Sequence, residues 1–239
     1  MLQILGVKLD NLNQEEVFVK IDDFLRGRKQ HYLVLPYSEF VVEANQDEQF
    51  RRILNRADLS LCDGRGLFWA ARFLGQPLKK QILGVELTET ICQKYSKIFL
   101  FGGRKEVVEK TAKKYGSRII GWINGYQETE RVIEKINQVK PEIVLVGLGM
   151  PKQEKWISQN IKKMPSVKLA IGVGGAFDFL SGQIRRAPKF LQQIGLEWLW
   201  RLIRQPWRIK RIFKAVVVFS WLVMKALIHR LSILTYWDL

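Results

Sequence analysis

The sequence predicts an α/β fold with an open parallel sheet and helices on both of its faces. Between residues 97 and 171, short apolar segments alternate with amphipathic segments of helical period, which is typical of βαβ units. Glycine-containing turns follow several apolar segments, at Gly102-Gly103, at Gly147-Leu148-Gly149 and at residues 172–175. We therefore expect a Rossmann-like sheet that binds its ligands outside the carboxyl ends of the strands.

In the first half of the chain, the strands are marked by short apolar runs and the helices by capping residues. Asn13 and Glu16 form the capping-box pattern of a helix start, and Ser38 is predicted to cap the next helix. The predicted strands are residues 2–7, 32–35 and 58–62. The later predicted helices are residues 67–74 and 87–95, with a glycine-containing loop at residues 81–86 before the second one.

The second half repeats a strand, a turn and a helix several times. The predicted strands are residues 97–101, 118–122, 143–147 and 167–171. The predicted helices are residues 105–115, 128–139 and 153–162. From Pro188 onwards the strand pattern stops and only helical patterns follow. We expect an α/β domain over residues 1–190 and a helical appendage over residues 191–239.

The charge of the chain is strongly basic, with a formal net charge of +16. Residues 184–230 hold eleven Lys and Arg against one acid, which predicts an anionic partner such as nucleic acid, acidic lipid or phosphate. The same segment is rich in Trp and aliphatic residues, a composition typical of a membrane-interface helix. No nucleic-acid-binding module is recognisable, and no apolar run reaches the ~18–20 residues of a spanning helix. We therefore expect peripheral binding to anionic lipids and no binding to nucleic acid.

The cysteines and histidines predict neither a metal site nor a redox site. Cys62 and Cys92 lie in apolar segments without metal-ligand spacing, and His31 and His229 are far apart in sequence. We expect both cysteines to be reduced core residues. The N-terminal residues lack the pattern of a signal peptide, which favours a cytosolic chain.

Asp63 is the first candidate for chemistry, because it ends a predicted strand and precedes Gly64-Arg65-Gly66. One interpretation is a helix N-cap, which is common for Asp at such a junction. The other is a general base, since a carboxylate at the end of a strand can reach a bound hydroxyl group. The residues alone leave both interpretations open, and one carboxylate could serve both.

Further candidates lie on the loops and on the basic segment. Glycine turns can offer backbone N–H groups to a phosphate, or they can be plain turns; none has the G-x-G-x-x-G form of a dinucleotide site. Gln153 could bind a sugar or a phosphate, and Asp178, between two Phe residues, could contact a nucleobase or cap a helix. The arginines of the basic segment are spaced as on one helix face, although Pro206 interrupts it. The candidate binding residues are Tyr37, Gln81, Gly102, Gly103, Tyr126, Gly149, Gln153, Gly174, Gly175, Asp178, Arg201, Arg204, Arg208 and Arg211.

Several motifs together resemble the WecG/TagA/CpsF glycosyltransferases, glycosyltransferase family 26. The matching stretches are residues 141–154, Gly-Val-Gly-Gly-Ala-Phe-Asp-Phe at 172–179, Arg-Ala-Pro at 186–188, Gly-Leu-Glu-Trp at 195–198 and Asp-Gly-Arg-Gly at 63–66. The resemblance implies transfer of a sugar, often N-acetylmannosamine or its uronic acid, from a UDP donor to a polyprenyl-diphosphate-linked N-acetylglucosamine. It further implies inversion at the anomeric carbon, no metal or other cofactor, and a peripheral location on the cytoplasmic face of the bacterial membrane. Soluble forms in this family can associate into homo-oligomers.

The resemblance also implies roles for single residues. Asp63 matches the proposed base, Gln153 a pocket residue and Asp178 a position that reads the nucleotide base. Arg201, Arg208 and Arg211 match arginines that contact the diphosphate. That role suits a chain without an Asp-x-Asp metal motif, since fixed cations can stabilise a leaving diphosphate.

The sequence departs from the family pattern at two places. Leu35 and Tyr37 stand where the family usually has Thr and Asn, and Gln81 and Glu86 stand where it has Arg and Asp. The identity of the sugar and of the acceptor therefore stays open. Two other classes also remain as alternatives: a Rossmann-type nucleotide-binding oxidoreductase, and a non-enzymatic adaptor for membrane or nucleic acid.

Overall fold

The computed structural model describes residues 2–188, 191, 197–206 and 209–237, and within these ranges it confirms a parallel α/β sheet. Six parallel strands pair in the order β4-β3-β8-β7-β5-β6. They are β3 (His31–Val34), β4 (Leu59–Ser60), β5 (Ile98–Gly102), β6 (Ile119–Ile123), β7 (Ile143–Gly147) and β8 (Leu169–Gly172). Because β8 pairs with both β3 and β7, it brings the loops of the two halves of the chain to one edge.

The N-terminal prediction is wrong in one respect, because residues 2–7 do not form a single strand. They contribute to an antiparallel hairpin of β1 (Leu2–Ile4) and β2 (Val7–Leu9). Leu5 and Gly6 between the strands have φ values of +48° and +84°, the left-handed conformation that a tight turn requires. The glycine makes this reversal possible, and the prediction overlooked it.

Helices cover both faces of the sheet. The helices that precede the C-terminal part are α1 (Gln14–Arg26), α2 (Ser38–Gln46), α3 (Glu48–Asn55), α4 (Arg65–Phe73), α5 (Gly84–Lys94), α6 (Lys105–Tyr115), α7 (Thr129–Val139), α8 (Lys152–Asn160) and α9 (Ala176–Leu180). Helix α1 has the predicted capping box at Asn13. Ser38 is not a cap, because the N-cap of α2 is Tyr37 and makes no side-chain capping bond. Helix α3 was not predicted, although Asp47 caps it and its apolar residues are buried.

The core has a layer on each face of the sheet, because successive residues of a strand point to opposite sides. Along β7, Ile143 and Leu145 pack in one apolar cluster with α1, α5 and α6. Val144 and Val146 pack on the other face in a cluster that includes residues of α7 and α8. Cys62 and Cys92 are free and buried core residues, as predicted; Cys92 lies in the first of these clusters and Cys62 in a third one.

The C-terminal part consists of helices α10 (Glu197–Arg204), α11 (Ile209–Phe213) and α12 (Phe219–Trp237), with a π-helical segment, Lys214–Val218, between the last two. Phe219 and Val223 of α12 are buried in the same cluster as Phe40 of α2 and Ala70 of α4. These contacts pack the last helix against α2 and α4, the helices that follow β3 and β4. In the described part of the chain, no helix combines the length and the apolar character that crossing a membrane requires.

Candidate active site

The loops at the carboxyl ends of the strands border one large cleft, with a volume of about 1290 Å³. Helix α4 and the C-terminal helices form its outer wall. Most of the residues predicted from sequence meet there. Those that line the cleft are Tyr37, Asp63, Gln81, Gly103, Gly149, Gln153, Gly174, Gly175, Asp178 and Arg211.

The other five predicted residues are not among the described residues that line the cleft. Gly102 lies behind it, where a Cβ atom would come within 2.5 Å of the Gly147 backbone. Tyr126 does not line the cleft and is 78% exposed. Arg201 and Arg204 belong to α10, but their side chains lie outside the described part of the structure, as does all of Arg208.

Asp63 lies at the edge of the sheet just after β4, in the position that the sequence predicts. It is not the N-cap of α4: that position belongs to Gly64, whose φ is +88°. The Asp63 N–H donates to the carbonyl oxygen of Pro36 at 2.8 Å, which fixes its backbone beside the end of β3. The capping interpretation for α4 is therefore wrong, and Asp63 is one of the residues that line the cleft.

The surroundings of the Asp63 carboxylate include the first residue of α5. A Cβ atom added to Gly84 would lie 3.1 Å from Asp63 Oδ2, a tight contact that the glycine avoids. The N-terminus of a helix carries a partial positive charge and favours nearby carboxylates. The loop predicted at residues 81–86 thus ends in the first turn of a helix directed at Asp63.

Glu39, Tyr37 and Arg211 form a compact ionic cluster at the wall of the cleft. Arg211 Nε donates to both carboxylate oxygens of Glu39, at 3.0 and 3.1 Å, and Arg211 Nη2 donates to Tyr37 Oη at 2.9 Å. Tyr37 Oη in turn donates to Glu39 Oε2 at 3.0 Å. Burial, and then the charge of Glu39, raise the pKa of the Tyr37 hydroxyl, which therefore stays protonated. The cluster ties α11 to the start of α2.

Gln153 is buried and connects two glycine turns. Its Oε1 accepts hydrogen bonds from the N–H groups of Gly149, at 3.1 Å, and Gly174, at 2.9 Å. Its Nε2 donates to Glu154 Oε1 at 2.6 Å. The Gln153 amide therefore joins the loop after β7 to the loop after β8 at the floor of the cleft.

Glu154 is fully buried beneath Gln153 and Gly172. Burial raises the pKa of this carboxyl to about 7. Its Oε2 has no hydrogen-bond partner. A Cβ atom on Gly172 would come within 2.8 Å of Glu154 Oε1, so β8 must end in glycine for this packing.

The glycine turns shape the cleft, but three of their N–H groups are used within the protein. Gly103 N–H donates to the Gly147 carbonyl oxygen at 3.1 Å. The N–H groups of Gly149 and Gly174 both donate to Gln153. The prediction that these turns offer N–H groups to a phosphate therefore does not hold for these three groups, because Gln153 and β7 already accept them.

Other residues at the cleft were not chosen as candidates from sequence. Arg186 lines it and donates from Nη1 to Glu86 Oε1 at 3.1 Å, while its buried Nε has no partner. Its place in the Arg-Ala-Pro stretch was the available signal. Glu39 had a weaker signal, a single acid at the start of an otherwise apolar helix segment. Among the described residues, no group of three or more His, Cys, Asp or Glu could hold a metal ion.

A carboxylate at the carboxyl edge of a parallel sheet, facing a large cleft with cationic groups, defines an α/β enzyme of the class that binds substrate at the strand ends. Comparison with known proteins agrees with this class. A family model described as the glycosyl transferase WecG/TagA/CpsF family matches residues 2–232. The chain belongs to this family and is a glycosyltransferase.

Two relatives are informative because of their coverage. A protein of Bacillus spizizenii is 33% identical over 199 residues, which are 79% of this chain and 77% of the relative. A protein of Staphylococcus aureus is 31% identical over 238 residues, 94% of this chain and 92% of the relative. Both are named N-acetylglucosaminyldiphosphoundecaprenol N-acetyl-beta-D-mannosaminyltransferase.

Proposed function

We propose that this protein transfers N-acetylmannosamine or a related hexose from a UDP-sugar to a polyprenyl-diphosphate-linked N-acetylglucosamine. Two relatives that bear the name of this reaction support the proposal, one of them aligned over 94% of this chain. The observation that carries it is the position of Asp63 in the cleft, at the sheet edge where an α/β enzyme binds its substrate. The product would serve the synthesis of a cell-wall or surface polysaccharide.

In the proposed mechanism, Asp63 is the general base. Its carboxylate takes the proton of the acceptor hydroxyl, and the hydroxyl oxygen attacks the anomeric carbon of the donor sugar from the face opposite UDP. The new C–O bond forms while the bond from the anomeric carbon to the phosphate oxygen breaks, and UDP leaves with that electron pair. Direct displacement of this kind inverts the configuration of the anomeric carbon.

The leaving diphosphate needs positive charge, which arginines of this chain would supply without a metal ion. Arg186 and Arg211 both line the cleft. By family resemblance, Arg201 and Arg208 of the C-terminal segment would add to them, and Arg204 would do so because of its spacing in the basic segment. Fixed cations stabilise charge that develops in the transition state, so these residues would act on kcat.

In this proposal, residues 1–190 form the catalytic domain and residues 191–239 form an appendage to it. The appendage would also bind the cytoplasmic face of the membrane. It carries exposed apolar side chains beside basic ones, as expected for a peripheral interface helix. Among the described residues of this segment, the apolar side chains that are more than half exposed are Ile203, Ile209, Phe213, Val217, Trp221, Met224 and Ile228. A lipid-linked acceptor requires an enzyme that works at that surface.

Replacement of Asp63 by Asn tests the catalytic role. Asn keeps the size of the side chain but cannot accept the proton, so kcat should fall roughly 10²–10⁴-fold, the usual contribution of a general base. The binding of UDP, measured by calorimetry, should change little. Transfer is measured with a panel of UDP-sugars and a short-chain lipid-linked N-acetylglucosamine.

Asp23→Asn is the matched control, because Asp23 is an exposed acid on α1 whose carboxylate contacts Arg26. It should keep wild-type turnover. Wild-type turnover by Asp63→Asn would refute the assignment of the base. Tight, salt-sensitive DNA binding without UDP binding would instead support an adaptor.

A further inference from the structure

The cleft has two chemically different ends. The inner end holds Asp63, Asp178 and Arg186 beside the glycine turns. The outer end is an apolar arm between α4 and the C-terminal helices. This arm is lined by Trp69, Phe73, Val216, Phe219, Met224 and Leu227.

Helix α4 runs along the cleft from the polar end into the apolar arm. It begins two residues after Asp63 and ends at Phe73, which at the rise of an α-helix is a length of roughly 13 Å. Trp69 and Phe73 are one turn apart, and their rings stack with centroids 6.3 Å apart. They are 45% and 64% exposed, although two adjacent aromatic side chains in an otherwise well-packed domain would normally be covered.

The opposite wall is anchored in the protein core. Phe219 and Val223 of α12 are buried in the cluster that contains Ala70 of α4. Met224, the next residue on α12, lines the arm and is 60% exposed. The arm is therefore a shaped groove with a fixed wall on each side.

We propose that this apolar arm binds the isoprenoid chain of the lipid-linked acceptor, with the diphosphate and sugar extending toward Asp63. The proposal rests on the proposed function and specifies which part of the site holds which part of the substrate. A cleft that is polar at one end and apolar at the other is complementary to a polar head with a hydrocarbon tail. A nucleotide sugar can stack its base on one aromatic ring, but it has no hydrocarbon chain to fill a groove that is also lined by aliphatic side chains.

The position of the arm agrees with this occupant. Its wall continues into the part of α12 where Trp221 and Ile228 are exposed, on the basic segment proposed to lie at the membrane. A long isoprenoid chain could enter from the bilayer along this wall without leaving apolar surroundings. Burial of its methylene and methyl groups in the groove would add affinity in proportion to chain length.

Binding of prenyl diphosphates tests the proposal without requiring turnover. The probes are inorganic diphosphate and prenyl diphosphates of ten, fifteen and twenty carbons, below their micelle concentrations and without detergent. For the wild-type full chain, calorimetry should show a Kd that falls with chain length, by at least tenfold from ten to twenty carbons, a change that the burial of about two methylene groups supplies. Inorganic diphosphate should bind the most weakly.

Phe73→Ser should remove most of this dependence on chain length and leave the Kd of inorganic diphosphate unchanged. Trp221→Ser is the matched control, because Trp221 is 59% exposed on α12 but does not line the cleft. This control should keep the dependence on chain length. Both substituted residues are exposed, so both variants should fold, which circular dichroism would check.

Three results would overturn the proposal. The wild-type Kd could be independent of chain length, the two variants could lose the dependence equally, or a short-chain phosphatidylglycerol could compete as well as the twenty-carbon diphosphate. The last two results would indicate a general lipid surface. Failure of the proposed function is distinguishable, because it would show as absent sugar transfer while the difference between the Phe73 and Trp221 variants remained.

Discussion

At the scale of single residues, the floor of the cleft depends on one buried amide and one buried acid. Gln153 accepts from two glycine N–H groups that come from different loops, and Glu154 accepts from Gln153. The amide of a glutamine has an oxygen that accepts hydrogen bonds and an NH2 group that donates them, so it can be flipped about its last bond. The carboxylate of Glu154 accepts from Nε2 and thereby keeps Oε1 directed at the two glycine N–H groups. Glu154 thus acts through Gln153 to set the distance between the loops after β7 and β8.

The raised pKa of Glu154 predicts that Glu154→Gln stabilises the protein at alkaline pH. The folded state holds the proton up to a pH of about 7, whereas the unfolded chain loses it near 4.5. The free energy of unfolding should therefore fall as the pH rises from about 4.5 to about 7, and the contribution of this one group should be lost in full above that window. The neutral amide avoids this cost, which for such a shift is on the order of 3 kcal/mol at pH 8.

Thermal unfolding at pH 5 and at pH 8 checks this prediction. The Tm of Glu154→Gln relative to the wild type should be higher at pH 8 than at pH 5. Glu134→Gln on the exposed face of α7 serves as the control and should show no such difference. An equal effect at both pH values would mean that Glu154 is already ionised in the folded protein at pH 5.

The sequence predicts some of these residues and not others for a physical reason. The position of Asp63 in the cleft was predictable because it follows from local features, the end of an apolar strand and the glycines after it. Glu39 was not, since its partner Arg211 lies 172 positions away and only the fold brings them together. The use of the Gly149 and Gly174 N–H groups by Gln153 was equally hidden, because it depends on two strands lying side by side.

At the scale of elements, the ion pair between Glu39 and Arg211 connects α2 with α11. Glu39 is nearly buried, and Arg211 is partly exposed at the cleft. Removing one partner of such a pair leaves the other charge poorly solvated, which costs more than the pair itself contributes. The position of the C-terminal helices over the cleft should therefore depend on this contact.

Glu39→Gln should lower the stability of the chain by about 1–3 kcal/mol, since it leaves the Arg211 guanidinium without its anion. It should also raise the KM for the lipid-linked acceptor more than the KM for the UDP-sugar. Denaturant unfolding and steady-state kinetics measure the two effects.

The exchange of both charges, Glu39→Arg with Arg211→Glu, should recover part of the stability but not the activity, if Arg211 also contacts the diphosphate. Full activity of Glu39→Gln would show that the pair does not position the appendage.

The elements differ in how well the sequence predicts them. The strands β5 to β8 alternate regularly with helices, so their existence and approximate ends follow from local hydrophobic periodicity. The order of the strands does not, because β8 lies between β3 and β7, and its pairing with β3 joins residues more than a hundred positions apart, such as His31 with Leu169. The hairpin of β1 and β2 was missed for a local reason: its two-residue turn is too short to interrupt the apolar pattern of the sequence.

At the scale of the whole molecule, the fold places its basic segment beside the mouth of the cleft. Lys210 and Lys225 lie on α11 and α12, and the Lys225 ammonium lies 5.5 Å from the centre of the Trp221 ring. Trp and Lys side by side suit the boundary between lipid headgroups and acyl chains. Binding to anionic lipid would therefore bring the apolar arm and the acceptor to the same surface.

The charge of this segment predicts the strength and the salt dependence of membrane binding. Each basic residue near an anionic surface contributes about 1 kcal/mol, so replacing Lys210 and Lys225 by Gln should weaken binding to phosphatidylglycerol vesicles by roughly thirtyfold. Vesicle sedimentation at two salt concentrations measures this loss, which should shrink as salt screens the charges.

The matched control replaces Lys20 and Lys110, two exposed lysines on α1 and α6, by Gln. Its net charge equals that of the test variant, so a difference between them reports where the charge lies rather than how much there is. Equal losses would mean that the whole basic surface attracts the membrane without a preferred orientation. A loss confined to the C-terminal lysines would mean that the protein lies on the bilayer with its cleft toward the lipid, the orientation that transfer to a membrane-bound acceptor requires.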